Sequence, residues 1–96
     1  MDRDKAIEKI KEIKHILRKN YSIKRIGIFG SYIRGEENKD SDLDILVEFE
    51  RPIDIFKFIE LEETLSESLG VKADLVTRRA LKPFIGKKIL KEVIYV

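Results

Sequence analysis

The run from Asp42 to Phe49 restricts the fold of this chain more than any other segment. Leu43, Ile45, Val47 and Phe49 point one way, while Asp42, Asp44, Leu46 and Glu48 point the other. That alternation predicts a strand with one packed face and one face that carries two carboxylates beside a leucine. A strand of this kind needs neighbours, and the flanking sequence supplies them. Ile23 to Phe29 is short and rich in β-branched residues, a second strand. Val71 to Val76 is a third, on which Lys72, Asp74 and Val76 share a face.

Between the strands the periodicity turns helical. Ala6, Ile7, Ile10, Ile13, Ile16 and Leu17 recur at helical spacing and predict an amphipathic helix over 3–19, ending around Asn20. Gly30-Ser31 is a turn opening a short helix over Tyr32 to Gly35. Pro52 suits the first turn of a further helix, whose stripe of Ile55, Phe58, Ile59, Glu62, Leu65 and Leu69 stops at Gly70. Thr77 is placed as the N-cap of the next helical stretch. Pro83 and Gly86 interrupt the helical pattern of 78–91, leaving two short helices or one kinked helix, and Val93 to Val96 can add a short strand. The order predicts an α/β (α+β) fold, a small mixed β-sheet with helices packed on it.

Size and composition bound the function. Ninety-six residues make one domain, 1–96, with 43% hydrophobic residues for a core and 40% charged residues for its surface. A formal charge of +2 is too balanced to predict nucleic-acid binding. The absence of cysteine excludes disulfides, thiolate zinc sites and a cysteine nucleophile. No apolar run approaches membrane-spanning length, and the opening MDRDKAIEKIKEIK holds no signal-peptide core, so a soluble, cytoplasmic protein is expected.

The chemistry concentrates between Gly30 and Asp44. Asp42 and Asp44 leave the same strand face about 6.6 Å apart, a spacing at which two carboxylates can share a pair of divalent ions about 3.5–4 Å apart. Oxygen-only donors select Mg²⁺ or Mn²⁺ over zinc. If the strand bearing Asp74 lies beside them, its carboxylate completes a triad. Decoration of a solvent face is the alternative. Against it, Leu46 shares that face, and Asp is a poor strand former whose like-charge repulsion a cation would relieve. Gly30 after a strand permits close backbone approach, and Ser31 with the following N–H groups can hold phosphate oxygens. Arg34 can add a charge-assisted contact to phosphate, or lie solvated on the surface. Gly35 reads as a tight turn. A phosphate cradle upstream of paired carboxylates is the equipment of phosphoryl or nucleotidyl transfer. His15, Lys24-Arg25, Arg78-Arg79, Lys87-Lys88 and Lys91 read as surface, and Tyr95 as packing or partner contact.

Gly30-Ser31, Arg34-Gly35, Ser41-Asp42-Leu43-Asp44 and the later Asp74 together resemble the signature of the minimal nucleotidyltransferases of the DNA polymerase beta superfamily, over roughly residues 22–96. More narrowly, the chain resembles the MNT-type antitoxins that pair with HEPN-domain ribonuclease toxins. The one departure is Ile33, where that family often has a small residue. The resemblance implies a polymerase beta-like nucleotidyltransferase fold and ATP as substrate. It implies triphosphate binding by Gly30 and Ser31, two Mg²⁺ ions (Mn²⁺ possible) on Asp42, Asp44 and Asp74, and help from Asp74 to the acceptor hydroxyl. It further implies transfer of AMP to a tyrosine of a HEPN toxin, in a hetero-oligomer. Larger relatives append domains that grip nucleic acids or drugs, so a protein acceptor is expected here rather than a long nucleic acid. Two other functions stay open at this level. One is a transferase acting on a small molecule or an RNA 3′ end with a partner chain. The other is a toxin-sequestering module without chemistry.

Overall fold

The computed structural model describes residues 1–96. Its elements follow the expected order: α1 (Arg3–Tyr21), β1 (Ile23–Phe29), α2 (Ser31–Arg34), β2 (Leu43–Phe49), α3 (Ile55–Leu69), β3 (Ala73–Thr77), a 3₁₀ turn (Arg78–Ala80), α4 (Pro83–Glu92) and β4 (Ile94–Tyr95). The four strands form one mixed sheet in the order β3-β2-β1-β4. β1 pairs antiparallel with β2 and β4, whereas β2 and β3 run parallel, joined by the α3 crossover.

One face of this sheet, covered by α1 and α3, holds the core. Ala6, Ile10 and Leu17 of α1 meet Leu61, Leu65 and Leu69 of α3 over Ile26, Ile28, Leu43, Ile45, Val47 and Leu75. A register shift between Ile23 and Arg25 lets β1 turn both Ile23 and Ile26 inward, which strict alternation would forbid. The other face carries Asp44 and Leu46, as the alternation required, and Leu46 is also buried.

Several boundaries move, each for a local reason. α1 continues to Tyr21, whose ring is buried and whose hydroxyl donates to Glu60 at 2.8 Å, and ends on Ser22 in the left-handed region. α3 does not begin at Pro52. Asp54 caps it by accepting from the Lys57 N–H at 2.9 Å, so Pro52 stays outside. The stripe of α3 keeps Leu65 and Leu69, which are buried as expected, but Leu61 joins them in the core while Ile55 and Ile59 are exposed. The 78–91 region resolves into a short turn and a helix. Thr77 Oγ1 accepts from the Ala80 N–H at 3.2 Å, and Pro83 then starts α4. The tail pairs with β1, with Tyr95 opposite Gly27 and beneath the Arg25 guanidinium at 4.6 Å.

Candidate active site

The carboxylates lie at one end of the sheet, where β1 ends and β2 and β3 begin. Asp44 lies on β2 opposite Phe29 of β1 and in register with Asp74 of β3. Neighbours in register on adjacent strands share a face, so the Asp44 and Asp74 side chains leave the sheet side by side. Asp42, expected as the first residue of the strand, instead sits one residue before β2, with its Oδ2 4.0 Å from Lys72 Nζ. β2 starts one residue later because the Leu43 N–H donates to Lys72 O at 2.8 Å.

β3 is an edge strand, and α3 holds it. The Ala73 N–H donates to Ser66 Oγ at 2.9 Å and the Leu75 N–H to Glu62 Oε2 at 3.0 Å. These two bonds bracket Asp74 and satisfy backbone donors that an edge leaves free. Glu62, expected within an otherwise apolar stripe, therefore has a polar task.

Gly30 completes the edge. Its φ of +81° and ψ of −153° belong to a region open to glycine alone. A Cβ there would collide with Asp44 Oδ2 and approach Asp44 Cγ to 3.0 Å. The Ile33 and Arg34 N–H groups return to Gly30 O at 3.0 and 3.2 Å, and this closes the α2 turn with Ser31 as its first residue. Gly35 ends the turn at φ +72°, as expected of a tight-turn glycine.

Electrostatics single out Asp44. Partial burial pushes its carboxyl above the ordinary range, and Asp74 and then Asp42 push it further. Arg34 opposes this, while Glu92 adds to it. The charged form of Asp44 is thus under strain that a cation would relieve. The carboxylates that act on it, Asp74, Asp42 and Glu92, offer oxygen donors, the chemistry of a hard divalent ion. Asp42, Asp44 and Asp74 are not drawn into a closed three-ligand cage, since Asp42 turns toward Lys72.

Arg34 stands between two carboxylates, its Nε 2.6 Å from Glu36 Oε1 and its Nη1 2.6 Å from Glu92 Oε1. Both pairs hold it firmly in the charged form. Sequence reading missed Glu92. No local sequence signal marked it, because only the pairing of the tail with β1, Ile94 with Ile28 and Tyr95 with Gly27, sets the end of α4 near α2. A broad cleft lies elsewhere. Its 720 Å³ are at the far end of β2, between Phe49, Phe58 and Arg78, and none of the expected site residues line it. His15 is exposed on α1 and takes no part. No helix is long and apolar enough to cross a membrane.

Comparison with known proteins identifies the family. The family model "Nucleotidyltransferase domain" matches residues 10–96. Protein adenylyltransferase MntA of Thermococcus cleftensis is 49% identical over 95 residues, covering 95% of this chain and 96% of its own length. A solved minimal nucleotidyltransferase superposes with a TM-score of 0.83 at 33% identity, covering 98% of this chain and 95% of that one. A toxin–antitoxin crystal structure with AMP-PNP superposes with a TM-score of 0.74 at 26% identity, covering 99% of this chain and 72% of that one. On these matches the chain belongs to the nucleotidyltransferase domain family, among its minimal, protein adenylyltransferase-like members.

Proposed function

We propose that this protein is an antitoxin that transfers AMP from ATP to a tyrosine of a partner HEPN ribonuclease toxin and thereby neutralises it. The observation that carries the reading is the juxtaposition of Gly30, Asp44 and Asp74. A backbone that can approach phosphate stands directly against one carboxylate, and a second leaves the sheet beside it. The 49% identity to a protein adenylyltransferase supports the acceptor class, and the similarity to a toxin–antitoxin complex holding AMP-PNP supports the partner and the nucleotide. Such a pair works in the cytoplasm, and residues 1–96 act as one domain.

Asp42, Asp44 and Asp74 are the residues that would hold two Mg²⁺ ions, with Mn²⁺ a substitute. Ions bound there would offset triphosphate charge and favour the ionised acceptor hydroxyl. Gly30 and the Ser31 hydroxyl hold the β- and γ-phosphates, and Arg34 adds a cationic contact to them. Asp74, exposed beside Asp44, receives the proton of the acceptor phenol. The phenolic oxygen then forms its bond to the α-phosphorus as the bond to the bridging oxygen breaks, and pyrophosphate leaves. Catalysis here is positioning and charge compensation, with no covalent enzyme intermediate.

Co-expression tests this reading. A HEPN partner produced with wild type should gain the mass of one or more AMP units, and one produced with the Asp42→Asn, Asp44→Asn double variant should gain none. An unmodified toxin that both forms neutralise equally would instead mark a sequestering module.

A further inference from the structure

We propose that Glu92, at the end of α4, is a positioning residue that fixes the Arg34 guanidinium for the nucleotide phosphates. The inference rests on the reading of Arg34 as a phosphate contact. A four-residue helix gives an arginine little support of its own. Tyr32 is the only buried residue of α2, and Arg34 itself is exposed. Its two carboxylate partners differ in kind. Glu36 lies in the polar loop after α2, and 58% of its side chain is exposed. Glu92 is only 17% exposed and is built into the frame of the sheet.

That frame is dense. The Val93 N–H donates to Ile89 O at 2.8 Å, Ile94 and Tyr95 pair with Ile28 and Gly27, and the Val96 N–H donates to Ile26 O at 2.8 Å. Gly27 makes this closeness possible, because a Cβ there would come within 2.7 Å of Val93 Cγ2. Glu92 is therefore anchored by the residues after it. It passes that rigidity to Arg34 through a 2.6 Å charge-assisted bond.

The geometry leaves donors to spare. A guanidinium has five N–H groups. Glu36 takes one at Nε and Glu92 one at Nη1. Three remain for phosphate oxygens, on a planar group whose orientation is already set before the nucleotide arrives. Arg34 lies one turn after Gly30, its N–H returning to Gly30 O at 3.2 Å, so the oriented group stands at the candidate phosphate cradle. Glu92 thus links the C-terminal strand of the sheet to the reacting edge.

Binding of a non-hydrolysable ATP analogue with Mg²⁺, measured by calorimetry beside KM for ATP and thermal stability, tests the link. Glu92→Ala is expected to weaken analogue binding about tenfold and to raise KM more than it lowers kcat. Glu92→Gln, which keeps an acceptor oxygen, should recover most of the loss. In the Arg34→Ala background Glu92→Ala should add little, because its effect runs through the arginine. If Glu92→Ala does not fold, Glu92→Asp, which withdraws the carboxylate by one methylene, should show the same pattern. Wild-type affinity in the Glu92 variants beside a weakened Arg34→Ala would overturn the inference and leave the role of Arg34 intact. So would full additivity of the two losses. Wild-type affinity in Arg34→Ala would instead overturn the phosphate role of Arg34 itself, and the positioning of it by Glu92 with that role.

Discussion

Gly30 and Asp44 occupy touching positions on neighbouring strand ends, so close that any side chain at residue 30 would displace the Asp44 carboxylate. The glycine serves two needs there. It adopts a backbone conformation forbidden to other residues, and it leaves the space that the central carboxylate fills.

Gly30→Ala should therefore cost about 1–3 kcal/mol of stability and abolish transfer. Gly35→Ala is the control. It has a similar positive φ of +72° but no atom within 4 Å of its would-be Cβ, so it should cost about 1 kcal/mol and keep most activity. Thermal melts and transfer rates of the two variants check the contrast.

Asp44→Asn should lower transfer on the order of a thousandfold while leaving the metal-free protein at least as stable as wild type. The sign comes from the raised carboxyl. The folded state holds the Asp44 proton to higher pH than the unfolded chain, whose ordinary value is 3.8. The group's contribution is thus full below 3.8 and is lost as pH rises through the folded value. Wild type should lose stability relative to Asp44→Asn across that window in melts without divalent ions. Mg²⁺ should raise the melting temperature of wild type alone, and this rise should fade on acidification at a pH above that of an ordinary aspartate.

Glu62→Ala removes the acceptor for the Leu75 N–H and loosens the strand that carries Asp74. A stability loss of about 1–2 kcal/mol is expected, with a fall in kcat. Glu62→Gln keeps an acceptor oxygen and should restore most of both. Chemical denaturation and steady-state kinetics on the pair check this.

Much of the site was legible because strand geometry is strict. Residues two apart share a face, which linked Asp42 with Asp44. A parallel neighbour was then all that Asp74 needed to stand beside Asp44, and the structure supplies it by register, whereas Asp42 falls one residue before β2 and turns toward Lys72. Where local sequence was degenerate, the reading slipped. α3 offers apolar residues on more than one face, and periodicity favoured Ile55 and Ile59. Leu65 and Leu69 pack as that stripe requires, but Leu61 rather than Ile55 and Ile59 joins them, because Glu62 and Ser66 must face the edge of β3. The start of α3 went to Asp54 because a side-chain cap satisfies an N–H that Pro52 cannot. Glu92 was illegible for another reason. Its partner Arg34 is 58 residues away, and only the pairing of the tail with β1 brings the two together.

The central claim, nucleotidyl transfer to a partner protein, is tested most directly by the fate of labelled ATP. Purified protein, Mg²⁺ and the HEPN partner would be incubated with ATP labelled at either the α- or the γ-phosphorus. Transfer of AMP predicts α-label on the partner, γ-label released as pyrophosphate, and neither outcome with the Asp42→Asn, Asp44→Asn variant. Label on the partner from the γ-phosphorus, or α-label incorporation that survives the double substitution, would contradict it.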